Sequence, residues 1–240
     1  MPDACVRTGR FAGIKGSGTM QATSAIQGII FDMDGVLCDS EPFIAEAAGR
    51  MFAERHGLAV TPEDFRPFIG MGENRFLGGV AEKYGVALDM PADKDWTYAR
   101  YLEIIRGRLH PLPGVAEFVA ACRCRRLKLA IATSADNVKM TGNLREIGLA
   151  PDLFNACVNG SEVRHKKPAP DIFLAAARKA RMAPAETMVI EDAPNGIKAA
   201  KAAGMRAMGI TSSFGAAALR AAGAEWTAPD LGHVPETIWL

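Results

Sequence analysis

What most constrains this chain is an alternation of short apolar runs with amphipathic stretches, broken once. The runs at 28–31, 127–132, 156–158, 188–190 and 205–210 are too short for helices and apolar on both faces, as strands buried inside a parallel sheet are. Helical patterns separate most of them: Val138, Met140, Leu144 and Ile147; then Ile172, Phe173, Ala176 and Ala180; then 197–203, stopped by Gly204 as a C-terminal cap. Strand followed by helix, repeated, predicts an α/β fold with a doubly wound, mostly parallel sheet and helices on both faces.

The break falls between Pro42 and Leu112. Ile44, Ala47, Ala48, Met51 and Phe52 lead to Gly57; 75–84 lead to Gly85; Tyr98, Tyr101, Leu102, Ile105 and Leu109 make a third stripe. Roughly seventy residues of helix exceed the dozen or so that a crossover needs. An inserted all-α domain over 42–112 is therefore expected, hinged near 40–42 and 110–114, where prolines punctuate the chain. The α/β core then comprises 25–41 and 113–240.

The 240 residues carry 28 Lys and Arg against 27 Asp and Glu, with 49% hydrophobic residues. That balance argues against a polybasic nucleic-acid binder, and no apolar run reaches the roughly 18 residues that span a bilayer. Neither a nucleic-acid partner nor membrane insertion is expected; a monomer or weak dimer is. The cysteines, Cys5, Cys38, Cys122, Cys124 and Cys157, are odd in number and scattered, which reads as reduced thiols. Cys122-x-Cys124 has no second pair, and His56, His110, His165 and His233 do not recur at ligand spacing. Residues 1–24 hold Arg7, Arg10 and Lys15 against Asp3, without the apolar stretch of a secretory signal. An organellar transit remnant, an added leader and a disordered tail all stay open, and with them a plastid or a cytoplasmic location.

Ligands collect at the carboxyl ends of the strands of such a sheet, so the polar residues after each run carry the chemistry. Asp32-Met33-Asp34-Gly35 follows the first, Thr133-Ser134 the second, Lys167-Pro168 lies beyond the third, and Glu191-Asp192 follows the fourth. Aspartates at i and i+2 of an extended segment point to one side and repel without a cation. Hard oxygen donors with one lysine suit Mg²⁺ and a phosphate group, while Gly35 lets the backbone turn sharply beside the site.

In this order, these residues resemble the four motifs of the haloacid dehalogenase (HAD) superfamily, over about 26–210. The segment Lys167-Pro168-Ala169-Pro170-Asp171-Ile172-Phe173 and the helical insert resemble the β-phosphoglucomutase and phosphoglycolate phosphatase subgroup. Residues 31–41, Phe76-Leu77-Gly78-Gly79-Val80 and Ser134-Ala135-Asp136 are similar to the HAD-like domain of plant chloroplast suppressor-of-quenching proteins. The resemblance implies that Asp32 attacks phosphorus and that Asp34 protonates the leaving alkoxide and then activates water. It implies that Asp32, the main-chain carbonyl of Asp34, and Asp192 with or without Glu191 hold Mg²⁺. Thr133, Ser134 and Lys167 would bind the phosphoryl group. It further implies that the helical insert is a cap, with Glu73 and Arg75 as its specificity candidates.

Two departures from the mutase pattern stand out. Ile44 occupies the place of a cap histidine, and Glu73 falls near that of a cap-loop arginine. Losing those contacts favours transfer to water over return to a sugar, so a Mg²⁺-dependent phosphatase of a small phosphorylated metabolite, a sugar phosphate, is expected. A phosphomutase and a regulatory HAD-like domain in photoprotection are the alternatives. Taken singly, the same residues read as caps and turn acids. Ser134 and Asn195 read either as phosphate contacts or as loop hydrogen bonds, His165-Lys166 as a solvated turn, and Cys38 as a small buried loop residue or a redox-sensitive thiol.

Overall fold

All five apolar runs become strands: β1 (Gly28–Phe31), β2 (Lys128–Ala132), β3 (Ala156–Val158), β4 (Thr187–Glu191) and β5 (Arg206–Ile210). The computed structural model describes residues 25–239, so the readings on 1–24 lie outside it. A sixth strand, β6 (Trp226–Ala228), forms one edge. Its three residues carry no apolar run, which is why the sequence pattern does not announce it. Every pairing is parallel, in the order β3-β2-β1-β4-β5-β6. This is the doubly wound order in which ligands sit outside the carboxyl ends of the strands. Phe31 pairs with Ile131 on one side and with Ile190 on the other, so the ends of β1, β2 and β4 are level.

Between β1 and the helix that precedes β2 only helices occur: α1 (Glu41–His56), the single turn α2 (Pro62–Phe65), α3 (Glu73–Tyr84) and α4 (Met90–Ile104), besides one 3₁₀ turn. Gly57 and Gly85 close α1 and α3 at φ of 64° and 67°, where a side chain would be strained. α1 packs chiefly on α4. His56 reaches the buried Asp93 of α4 at 3.0 Å, and Arg55 ion-pairs with the same carboxylate, which holds Asp93 ionised despite its burial. The third helical stripe stops short of the expected Leu109, because the chain leaves the helix at Ile104 and turns at Gly107, φ 66°. The two chain crossings into this helical segment lie side by side: the Leu112 N–H donates to the Leu37 carbonyl at 2.9 Å.

Strand alternation divides the core. Ile29, Phe31, Leu129, Ile131, Met188 and Ile190 face α5 (Val115–Cys124), α6 (Asn137–Glu146) and the helical segment; Ile30, Ala130, Val189 and Ala207 face α7 (Asp171–Ala180), α8 (Pro194–Ala202) and α9 (Ala216–Ala222). α7 buries the expected stripe of Ile172, Phe173, Ala176 and Ala180. α6 and its C-cap bury Met140, Leu144 and Ile147 of the expected stripe, but Val138 is 44% exposed and Lys139, 5% exposed, joins the buried face instead. Among the described residues, no helix is long and apolar enough to cross a membrane.

Phe31 anchors the central strand, fully buried with its ring edge-on to Phe118 at 6.1 Å and Phe154 at 6.3 Å. Phe31→Ala is expected to cost about 3–5 kcal/mol, seen as a lower denaturant midpoint at unchanged m-value.

Candidate active site

Asp32 is the first residue past β1 and is 7% exposed. The Lys167 ammonium, reaching in from the loop that follows β3, donates to Asp32 Oδ1 at 2.5 Å and to Glu191 Oε1 at 2.6 Å. Glu191 ends β4, and its other oxygen accepts the N–H groups of Asp192 and Ala193, each at 2.9 Å. Gly196 makes room for this: a Cβ there would stand 1.8 Å from Glu191 Oε1. Gly35 does the same for Asp192, whose Oδ2 would meet a Cβ on Gly35 at 2.0 Å. Gly35 also takes φ of 74°, so its turn excludes larger residues twice over.

One oxygen from each of Asp32, Glu191 and Asp192 lies within 4.8 Å of the others, and all three residues are buried. Burial first, then the neighbouring carboxylates, push the Asp32 and Asp192 carboxyls above their usual range, against the pull of Lys167. Burial alone would lower the Lys167 ammonium, but Asp32 and Glu191 outweigh it and hold the group charged. Three acids against one cation in a dry place leave uncompensated negative charge. Hard oxygen donors of this kind fit a Mg²⁺-like ion. With both Glu191 oxygens already bonded, Asp32 and Asp192 are the freer donors.

Asp34 has different partners. Ser40 donates its hydroxyl to Oδ1, and the Lys139 ammonium donates to Oδ2 at 2.9 Å. The chain bends after Asp32, and the two aspartates, near enough for Asp34 to raise the Asp32 carboxyl, meet different lysines. Lys139 also lies 3.9 Å from Glu73 Oε1 of α3. Thr133, 1% exposed just past β2, accepts the Ala135 N–H at 3.1 Å through its hydroxyl oxygen, so its proton is available to a phosphoryl oxygen.

Asp34, Ser134, Glu73, Glu41, Ile44 and Lys139 line a cleft between the helical segment and the strand ends. Arg75 does not join them. It pairs with Glu82 at 2.7 Å and lies over the Phe68 ring, because its position on α3 turns it along the helix surface. Asn195 lies in the first turn of α8, and the exposed His165 pairs with Asp171 at 2.8 Å. Cys38 is fully buried, and burial pushes its thiol well above the usual value, the state of an inert structural cysteine. Lys139, Ser40 and Glu41 are site residues that the strand-end pattern does not reveal. Lys139 and Asn143, both buried at i, i+4 on α6, are the one available signal.

The family model for haloacid dehalogenase-like hydrolases matches residues 26–204. The chain belongs to that family. Among its HAD relatives, Protein SUPPRESSOR OF QUENCHING 1, chloroplastic, of Arabidopsis thaliana is 41% identical over 87% of this chain. The chain spans only 20% of that plant protein. The Phosphorylated carbohydrates phosphatase of Thermotoga maritima is 32% identical, covering 79% of this chain and 87% of its own. Among solved HAD structures, a putative β-phosphoglucomutase from the same organism superposes with a TM-score of 0.68 at 32% identity, covering 85% of this chain and 94% of its own.

Mg²⁺ at about a hundred times its dissociation constant is expected to stabilise this HAD protein by about 2.7 kcal/mol, read as a rise in Tm. Asp192→Asn should lose most of that rise while folding normally; a rise as large as in the wild type would remove Asp192 from the ion's ligands.

Proposed function

We propose that this HAD-type phosphoric monoester hydrolase is a Mg²⁺-dependent phosphatase that removes the phosphoryl group from a small phosphorylated carbohydrate, with residues 42–112 as its cap. The observation that carries the reading is the bridge from the Lys167 ammonium to Asp32 and Glu191 beside Asp192. It sets a carboxylate, fixed in orientation, next to a cation that offsets the charge of an incoming phosphate.

Asp32 attacks phosphorus, the bond to the leaving oxygen breaks, and an aspartyl phosphate is left. Lys167 holds the attacking carboxylate and screens like-charge repulsion. Thr133 donates its hydroxyl proton to a phosphoryl oxygen. Asp34, set apart on Lys139 and Ser40, gives a proton to the departing alkoxide and then takes one from the water that hydrolyses the intermediate. A divalent cation held by Asp32 and Asp192, with the Asp34 carbonyl, would supply further charge neutralisation at phosphorus.

The cleft beside Asp34 opens between the helical segment and the strand ends, where the leaving group would sit. Ile44, 3% exposed in that cleft, offers no proton or charge to retain a bisphosphorylated intermediate, so water is favoured over mutase chemistry. The likeness to a chloroplast protein is the support for a plastid location.

Asp32→Asn is expected to lower kcat for p-nitrophenyl phosphate by at least about 10³-fold, or roughly 4 kcal/mol. Asp34→Ala should lower kcat for an alkyl phosphate by about 10²–10⁴-fold, and less for the nitrophenyl ester, whose leaving group needs no proton. Mg²⁺-dependent turnover surviving in Asp32→Asn would refute the mechanism.

A further inference from the structure

We infer that the cleft above Asp34 selects a leaving alcohol that carries no negative charge and presents hydroxyl or ammonium donors, with Glu73 enforcing the choice. This deepens the phosphatase reading and rests on it.

The cleft meets Asp34, the proposed proton donor, and not Asp32, Glu191 or Asp192. It therefore holds what departs and not the phosphoryl group. Its charged lining is Asp34, Glu41, Glu73 and Lys139, three carboxyls against one ammonium. That ammonium is already committed, donating to Asp34 Oδ2 at 2.9 Å and lying 3.9 Å from Glu73 Oε1. No cation in the lining remains for a second phosphate or a carboxylate on the substrate.

Glu73 is the sharper signal. It opens α3, directly after Gly72, which takes φ of 83° and lies so close to the core that a Cβ would stand 3.4 Å from the Ser134 carbonyl. This turn delivers Glu73 to the cleft, where it is 7% exposed and its Oε2 is buried without a hydrogen bond. The Tyr98 hydroxyl, equally buried, lies close enough to interact with Glu73 but makes no well-formed hydrogen bond to it. A buried acceptor without a donor is costly, and a substrate hydroxyl or ammonium supplies the donor. Burial also pushes Glu73 up, and Glu41 up to about 7; a donor in the cleft would favour their charged forms, and an anion would oppose them. Ile44, Phe68 and Phe76 complete the walls, leaving carbon skeleton to pack on carbon.

The experiment is kcat/KM of the full chain with Mg²⁺ on p-nitrophenyl phosphate, glycerol 3-phosphate and glucosamine 6-phosphate, against 2-phosphoglycolate and fructose 1,6-bisphosphate. The neutral and amino-bearing alkyl esters should exceed the anionic ones by at least about tenfold, because like charges meeting across a desolvated site discriminate strongly. Glu73→Gln should narrow that ratio by at least about threefold. Anionic esters hydrolysed as well as the others, or a ratio untouched by Glu73→Gln, would overturn the inference while p-nitrophenyl phosphate turnover left the phosphatase reading standing. Absence of turnover on every ester would overturn both.

Discussion

The site depends on the Lys167 ammonium bridging Asp32 of the central strand and Glu191 of its neighbour. Unpaired, carboxylates this buried would be strongly destabilising. Lys167 compensates two of them and, by bonding both, fixes their orientations. Because Oε1 of Glu191 is held there, Oε2 can accept two N–H groups of the following turn. That turn is what directs Asp192 back toward Asp32. The arrangement tolerates no side chain at Gly35 or Gly196, so two glycines far apart in sequence are required by a single cluster of charge.

Lys139 repeats the device for the other half of the site. It lies on α6 of the sheet domain, bonds Asp34, and comes within 4 Å of Glu73 in the helical segment. Ser40, at the start of α1, spends its hydroxyl on Asp34 instead of capping its own helix. The acid that would serve the leaving group is thus held from both sides of the cleft, whereas Asp32 is held from the sheet side alone. In the proposed mechanism, phosphoryl capture and leaving-group handling would be divided by which lysine each aspartate meets.

The sheet and the acidic cluster were legible in the sequence because both are written in strands: a buried parallel strand is an apolar run, and the site is whatever polar residue follows it. The break after β1 was equally plain, since nothing but helical periodicity fits 42–112. Side-chain directions on helices were less accessible. Met140, Leu144 and Ile147 mark the buried face of α6 as read, but Val138 stands outside it, and only the structure shows that Lys139 shares that face. Arg75 and Glu73 are two residues apart on α3, so at most one could face the cleft, and composition does not say which. The helix α5, with Val115, Phe118, Val119 and Cys122 buried, was not among the expected helices, and β6 and α9 are too short or too alanine-rich to carry a pattern.

Charge balance explains why such a site would stay inert until it is filled. Asp32, Glu191 and Asp192 against Lys167 leave two negative charges uncompensated if all four ionise, and the raised carboxyl pKa values show that burial resists this state. A phosphate dianion entering alone would add to the imbalance and meet a partly protonated, poorly nucleophilic Asp32. A divalent cation held by Asp32 and Asp192 would neutralise the pair and favour the carboxylate form of Asp32. Phosphate would then meet a cluster of no net charge. Under the proposed reading, a cation held by Asp32 and Asp192 would thus favour both the carboxylate form of Asp32 and the binding of phosphate beside it.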